Sequence, residues 1–390
     1  MTEQLGTDEY RLLAQAIAGN PATSIRLNSS KPADVFTDAK PVPWCAEGRY
    51  LTERPQFTLD PLFHAGCYYV QEASSMFISH LLRTYLPEQS GLTCLDLCAA
   101  PGGKSTLLLN DLPGNATLIA NEPIRQRAHI LRENIIKWGS PNAIVTSNFA
   151  ADFQPLGAVF DLILCDAPCS GEGMFRKDSD SIGEWSLRNV AKCAERQRQI
   201  VGDIWPTLRE GGLFIYSTCT FNHFEDEDNV QWIANELGAD ILPLCDQPEW
   251  GIRGGHFFPH RTQGEGFFVA ILRKHGEGKH KDLDAKKLRK HLNILLEGTE
   301  PGRVVDRKGT VEPSQSQAMS TAIDHSQWPS VELSLEDALS YLRTEPLHLP
   351  NDTPRGYVLL TYQHFPLGFC KNIGARANNL YPSEWRIRKK

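Results

Sequence analysis

Three short segments of the chain carry residue types from which a reaction can be built. Cys169 lies in FDLILCDAPCSGEG and Cys219 in GGLFIYSTCTF, each at the end of an apolar run. The third segment is CAAPGGK at 98–104. A thiolate can add to C6 of a cytosine ring, which makes the otherwise unreactive C5 enamine-like and able to attack a sulfonium methyl group. The C5 proton must then leave and the thiolate must be expelled. One cysteine as nucleophile and a second group to assist release meet that need. Asp166, in the same turn as Cys169, can hold the base at N3. Lys104 is a cation able to lower a thiol pKa. A lone cysteine is more often a small buried core residue. Here the strand ends, the neighbouring Asp166 and Pro168, the turn residues Ser170 and Gly171, and the presence of two such thiols favour chemistry. The chemistry alone does not choose between Cys169 and Cys219 as nucleophile.

The CAAPGGK loop follows a strand-like run and opens a helical one, the place where open α/β sheets bind ligands. Cys98, Ala99, Ala100, Pro101, Gly102, Gly103 and Lys104 are therefore candidate cofactor residues, the two glycines allowing close backbone approach. A dinucleotide fingerprint needs G-x-G-x-x-G, which is absent, and a P-loop needs a leading glycine where Cys98 stands. S-adenosylmethionine remains. Glu122, at the end of the second apolar run, is placed to accept hydrogen bonds from ribose hydroxyls. The competing reading of Glu122 is an acid that favours the start of the following helix.

The elements that must position these residues alternate. LTCLDLC, ATLIAN, AIVTS, VFDLILC and GLFIYS read as short buried strands, and STLLLND, IRQRAHILRENIIKWG and SLRNVAKCAERQRQIVGDIWPTLREGG as helices between them. That pattern predicts a parallel, doubly wound sheet across 91–275, with ILPL and FFVAILRK as closing strands. Residues 1–90 open with a helical pattern, turn Pro-rich and irregular, and resume helical spacing in YYVQEASSMFISHLLRTYL. Residues 276–345 read as a linker with one charged helix, and 346–390 as a small β-rich module.

Net charge is −7, which excludes a generally basic nucleic-acid binder. Residues 276–390 nevertheless hold 17 Lys+Arg against 14 Asp+Glu, with basic runs HKDLDAKKLRKH and RIRKK. Such runs are as readily solvated helix faces as RNA contacts. Ten cysteines without a C-x-x-C pair suggest reduced thiols, cytoplasmic location and no metal site. No apolar run is long enough to span a bilayer, and the first residues lack a signal-peptide layout.

At SIRLN, YYVQEASSM, CLDLCAAPGGKS, ANEP, DLILCDAPCSGEGMFRK, GGLFIYSTCT, EDEDNV and FPHRTQGEGFFVA the chain resembles the NOL1/NOP2/Sun family of RNA cytosine-5 methyltransferases, in particular its RsmF-type 16S ribosomal RNA enzymes. The tail GYVLLTYQHFPLGFCKNIGARANNLYPSEWRIRK resembles their PUA-like RNA-binding module. The resemblance implies a Rossmann-like S-adenosylmethionine-dependent core, with an N-terminal α+β extension that binds RNA. It implies a monomer acting on ribosomal RNA or a small-subunit particle. It assigns the cofactor to the CAAPGGK loop with Glu122 and Asp166, nucleophilic attack to Cys219 and product release to Cys169. The family often carries an acid after the third strand, near the adenine; Ala150 stands there, with Asn148 and Asp152 as substitutes. A non-catalytic RNA-binding or assembly factor is the main alternative, and a P-loop-like kinase a weaker one; the paired thiols argue against both.

Overall fold

The computed structural model describes residues 2–86, 89–178, 180–279 and 281–388. Its centre is one sheet. In chain order the strands are β1 (Thr93–Asp96), β2 (Thr117–Asn121), β3 (Ala143–Thr146), β4 (Phe160–Asp166), β5 (Leu208–Thr218), β6 (Ala239–Ile241), β7 (Phe267–Lys274) and β8 (Ile294–Glu297). They lie side by side as β6-β7-β5-β4-β1-β2-β3-β8. Strands β1 to β5 are parallel, and β7 runs antiparallel to β5. The expected doubly wound sheet is thus present; FFVAILRK forms β7 inside it, whereas of the expected strand ILPL only Ile241 lies in a strand, the edge strand β6, because Pro243 cannot donate to a ladder. Every residue of β1 and β3 is buried, as is all of β4 except Asp166, because helices cover both faces. One face packs Leu107 and Leu108 of helix α1 (Gly103–Asp111), with Phe77 and Leu81, onto Leu162, Leu164 and Ile215. On the opposite face, Val201 and Ile204 of α3 (Leu187–Ile204) and Val230 and Ile233 of α4 (Glu227–Leu237) pack against Ile163 and Phe214. Helix α2 (Arg125–Trp138) follows β2.

Two readings of the N-terminal region need correction. The Pro-rich stretch is not irregular: Lys40–Val42, Cys45–Leu51, Thr23–Leu27 and Tyr68–Val70 form an antiparallel sheet in that order. Helical spacing begins later than expected, because Tyr68–Val70, aromatic and β-branched, pairs with Thr23–Leu27. The helix itself is Phe77–Tyr85, after a 3₁₀ turn at Ser74–Met76.

The C-terminal half also departs from the composition-based boundaries. Strand β8, inside the expected linker, adds antiparallel to β3 and completes the core sheet. The C-terminal sheet starts ahead of 346. Its strands are Ser330–Glu332, Gly356–Tyr362, Phe365–Asn372 and Ala377–Asn379, and helix Leu335–Leu342 buries Ala338, Tyr341 and Leu342 with them. Residues Ile25, Tyr68, Leu131, Ile135, Met319, Tyr341, Phe369 and Trp385 share one apolar cluster, so the terminal units and α2 are fused. The first basic run is a capped helix, Ala285–His291, on which Arg289 pairs with Glu297. Arg386 and Arg388 are exposed, whereas His280, Lys389 and Lys390 lie outside the described residues. No helix among the described residues is long and apolar enough to cross a membrane.

Candidate active site

Strands β4 and β5 are neighbours, and the register pairing Asp166 with Ser217 brings the two loops that follow them together. Cys169 Sγ and Cys219 Sγ stand 3.1 Å apart, and the Cys219 backbone N–H points at Cys169 Sγ at 3.3 Å. Both side chains are half-buried. The pair is polarised. The hydrogen bond from Cys169 lowers the Cys219 pKa below the ordinary thiol value; burial and Asp166 oppose this, and Lys104 adds to it. The same hydrogen bond, with burial, lifts Cys169 well above that value. The shifts run in opposite directions, down for Cys219 and up for Cys169, so the pair loses its first proton more readily from Cys219.

Lys104, in the first turn of α1, reaches across to donate to Asp166 Oδ2 at 2.8 Å, while Ser217 Oγ donates to Asp166 Oδ1 at 2.7 Å. Burial alone would lower the Lys104 pKa, but the charge and hydrogen bond of Asp166, with Cys219 and Asp96, hold it above the usual lysine value. The Lys104 ammonium is thus favoured in its charged form beside Asp166.

A polar scaffold fixes the two thiol loops. Glu225, fully buried, accepts from Ser170 N at 3.0 Å, Gln197 Nε2 at 2.7 Å and Asn222 Nδ2 at 2.9 Å. Glu172 accepts from Thr220 Oγ1 at 2.7 Å, Phe221 N at 2.8 Å and Trp185 Nε1 at 2.9 Å. The Cys169 loop is thus tied to α3 and to the start of α4, and the Cys219 loop to Glu172. None of these partners was evident beforehand; only Glu172, next to the turn, and the acidic run EDED carried a signal. The N-terminal helix Thr7–Ile17 also reaches this region: Leu13 packs with Phe221 and Phe258, and Glu9 pairs with Arg253, His260 and Arg261. Beside it opens a cleft of about 980 Å³, which Phe221, Trp185 and Tyr10 help to line.

On the cofactor side, the structure redefines the glycines. Gly102 adopts φ 117°, and a Cβ there would meet Leu131 and Asn134 of α2; one at Gly103 would meet Tyr69. Both glycines thus also serve the close packing of α1 against α2 and the N-terminal sheet. Around them, Ala99 N donates to Asn121 O, Arg127 Nη2 to Ala100 O and Asn134 Nδ2 to Pro101 O, so the whole loop from Cys98 onward is pinned to β2 and α2. The opening turn of α1 has N–H groups without helical acceptors, suited to a carboxylate. Asp96, fully buried at the end of β1, takes Ser105 Oγ at 2.6 Å on one oxygen and has no partner on the other. Burial lifts its pKa to about 7, with Asp166 and Glu122 adding to the rise. Glu122 is also buried, its Oε1 accepting from Ile124 N at 3.0 Å and its Oε2 3.4 Å from Arg127. It therefore closes the turn between β2 and α2 without capping the helix itself, and its position just after β2 puts it at the carboxyl edge of the sheet. After β3, Asp152 accepts from Phe149 N at 2.8 Å and Asn148 Oδ1 from Asn293 N at 2.9 Å. Both substitutes for the missing acid are thus engaged in holding the turn, and Phe149 is left 71% exposed.

Family models match three consecutive parts of the chain. These are the N-terminal domain of 16S rRNA methyltransferase RsmF at 1–73, 16S rRNA methyltransferase RsmB/F at 83–273, and the methyltransferase RsmF PUA domain at 329–387. Ribosomal RNA small subunit methyltransferase F from Salmonella paratyphi A is 30% identical over 408 residues, covering 88% of this chain and 84% of its own. The chain belongs to the RsmB/F family of 16S rRNA methyltransferases. Solved structures agree on the fold. A methyltransferase homolog protein from Pyrococcus horikoshii is 27% identical with a TM-score of 0.59, over 70% of this chain and 92% of that one. NSun6 from Pyrococcus horikoshii, solved with SFG, has a TM-score of 0.60 at 21% identity, over 71% and 97%. As a methyltransferase of this family the protein takes its methyl group from S-adenosylmethionine, and the donor set at the ends of β1 and β2 fits an amino-acid and ribose-bearing cofactor. The PUA domain match starts at 329, in agreement with the sheet that begins at Ser330.

Proposed function

We propose that the protein methylates C5 of a cytosine in 16S ribosomal RNA through a covalent bond between Cys219 and C6. The observation that carries this reading is the thiol pair, two sulfurs 3.1 Å apart beyond the ends of β4 and β5, and their opposite pKa shifts favour Cys219 as the thiolate. S-adenosylmethionine, when bound, supplies an electrophilic methyl group on a sulfonium. Lys104 Nζ keeps Cys219 ionised and Asp166 oriented, and Asp166 meets the base at N3. Cys219 Sγ adds to C6, and the electron pair gathered at C5 forms the new C–CH₃ bond. Once Cys219 is bonded to C6 it no longer holds negative charge, and Cys169 Sγ gives its thiol proton to solvent; as a thiolate it then takes the proton from C5, while elimination returns the S–C6 pair to Cys219. The opening turn of α1, Asp96 and Glu122 hold the cofactor; the PUA domain and the N-terminal domain position the RNA, with exposed Arg386 and Arg388 as phosphate contacts.

Trapping tests the roles. Cys219→Ala is expected to be inactive and to form no adduct. Cys169→Ala is expected to add, transfer the methyl group and stall, giving a protein–RNA species that survives a denaturing gel; Cys169→Ala with Cys219→Ala should lose it. Adducts only in Cys219→Ala would reverse the roles. Retained methylation in both single variants without adducts would end the covalent scheme. Absence of any methylation by the wild-type chain on deproteinised RNA and on small subunits alike would favour the non-catalytic alternative.

A further inference from the structure

Just beyond the Cys219 loop, two buried side chains face each other without a hydrogen bond. Asp226 Oδ2 and His256 Nδ1 are 3.8 Å apart, and neither atom has another partner. Both residues are more than nine-tenths buried, Asp226 completely. The gap is too long for a hydrogen bond. Each remaining polar atom is already committed in the way that orients a ligand. Thr218 Oγ1 donates to Asp226 Oδ1 at 2.6 Å, which turns Oδ2 toward the histidine. His256 Nε2 stands 2.8 Å from Glu227 Oε1, so the proton belongs on Nε2 and the lone pair on Nδ1. A carboxylate on the far nitrogen is the usual support of a metal-binding histidine. One ligand atom from each of Asp226, Glu227 and His256 lies within 4.8 Å of the others.

We infer that Asp226 Oδ2 and His256 Nδ1 bind a divalent first-row cation, with Glu227 holding the imidazole in place from Nε2 and solvent completing the coordination. Two ligands at about 2.1 Å from a metal, opened to a tetrahedral angle, stand about 3.4 Å apart, so a modest widening spans the observed gap. Imidazole with carboxylates suits Mn²⁺, Fe²⁺ or Zn²⁺ better than Mg²⁺ or Ca²⁺. The site has a structural consequence. Asp226 and Glu227 begin α4, His256 lies on the two-residue strand His256–Phe257 paired with β7, and Thr218 is the last residue of β5 before Cys219. A cation here would join these three elements directly behind the nucleophile's loop. It would also offset the charge of the acidic run at residues 225–228.

Mn²⁺ is the probe, because the nearby thiol pair prefers softer metals. Full-length protein is stripped with EDTA, dialysed and titrated with MnCl₂, and free Mn²⁺ is counted by electron paramagnetic resonance. A single stoichiometric site is expected, with a rise in melting temperature on loading. Asp226→Asn, which keeps an acceptor for Thr218, and His256→Gln should each weaken binding at least tenfold. Glu227→Gln, at a half-exposed position where folding is safe, should weaken it several-fold. Cys169→Ser with Cys219→Ser should leave it unchanged. Absence of a stoichiometric site in the wild type, equal affinity in the folded Glu227→Gln and Asp226→Asn proteins, or loss of binding with the thiols would each overturn the inference.

Discussion

The two halves of the core sheet's carboxyl edge are built by different means. Beyond β4 and β5, side chains do the holding: Glu172, Glu225 and Gln197 are buried, and each ties two or more segments together. Beyond β1, β2 and β3, the chain's own backbone is held more than its side chains: the loop from Ala99 to Pro101 is fixed through its carbonyl and N–H groups, and Phe149, after β3, is exposed. The proposed covalent chemistry would need two sulfurs and a lysine held within a fraction of an ångström, which a dense network provides. A cofactor that enters and leaves each turnover needs a surface already formed but open.

Substitutions can break or sharpen that contrast. The largest effect is expected at Glu225. Glu225→Ala strands three buried donors, and urea unfolding should show a loss of roughly 3–5 kcal/mol. A loss below 1 kcal/mol would mean the network does not hold the thiol loops. Next is Lys104→Met. Removing the cation raises the Cys219 pKa, so the rise of kcat/KM with pH, which tracks formation of the thiolate, should move to higher pH. At neutral pH activity should fall about a hundredfold, roughly 2.7 kcal/mol, and recover in part under alkaline conditions. A pH profile that keeps its midpoint would remove Lys104 from the thiolate's surroundings. On the cofactor side the effects are smaller and appear in binding. Glu122→Ala should weaken S-adenosylmethionine by roughly 1.5–3 kcal/mol in calorimetric titration. Unchanged affinity would leave Glu122 with its turn-closing role alone. Phe149→Ala should cost about 0.5–1.5 kcal/mol of the same affinity, the value of an aromatic contact. A larger loss than at Glu122 would show that the exposed ring, not the buried acid, dominates.

Much of this edge was legible in the sequence because strand ends are local. Apolar runs of strand length placed Cys98, Glu122, Asp166 and Cys219 at one edge once the parallel alternation was read, and β1 to β5 lie where those runs lie. The helix expected at 186–212 ends at Ile204, because Pro206 cannot continue it and strand β5 starts at Leu208. The network was not legible. Gln197 sits mid-helix among polar residues, and nothing in its spacing distinguishes it from a solvated one; it is buried because Tyr216, Glu225 and Asn229 converge on it from elsewhere. The C-terminal sheet began unseen for a similar reason. Ser330–Glu332 is three residues long and mostly exposed, and it becomes a strand only by pairing in parallel with Gly356–Tyr362. The N-terminal strands were hidden by prolines, which an edge such as Lys40–Val42 tolerates.

Strand β8 makes the order of synthesis matter. Ile294 pairs with Thr146, so the edge of the catalytic sheet is sealed by residues made long after that edge exists. Until they emerge from the ribosome, β3 presents a row of unpaired N–H and C=O groups, a template for pairing with another chain. A fragment ending at 275, where composition suggests a boundary, would carry that open edge permanently and tend to associate through it. The segment that looks like a tether is thus the chain's own chaperone for its catalytic half.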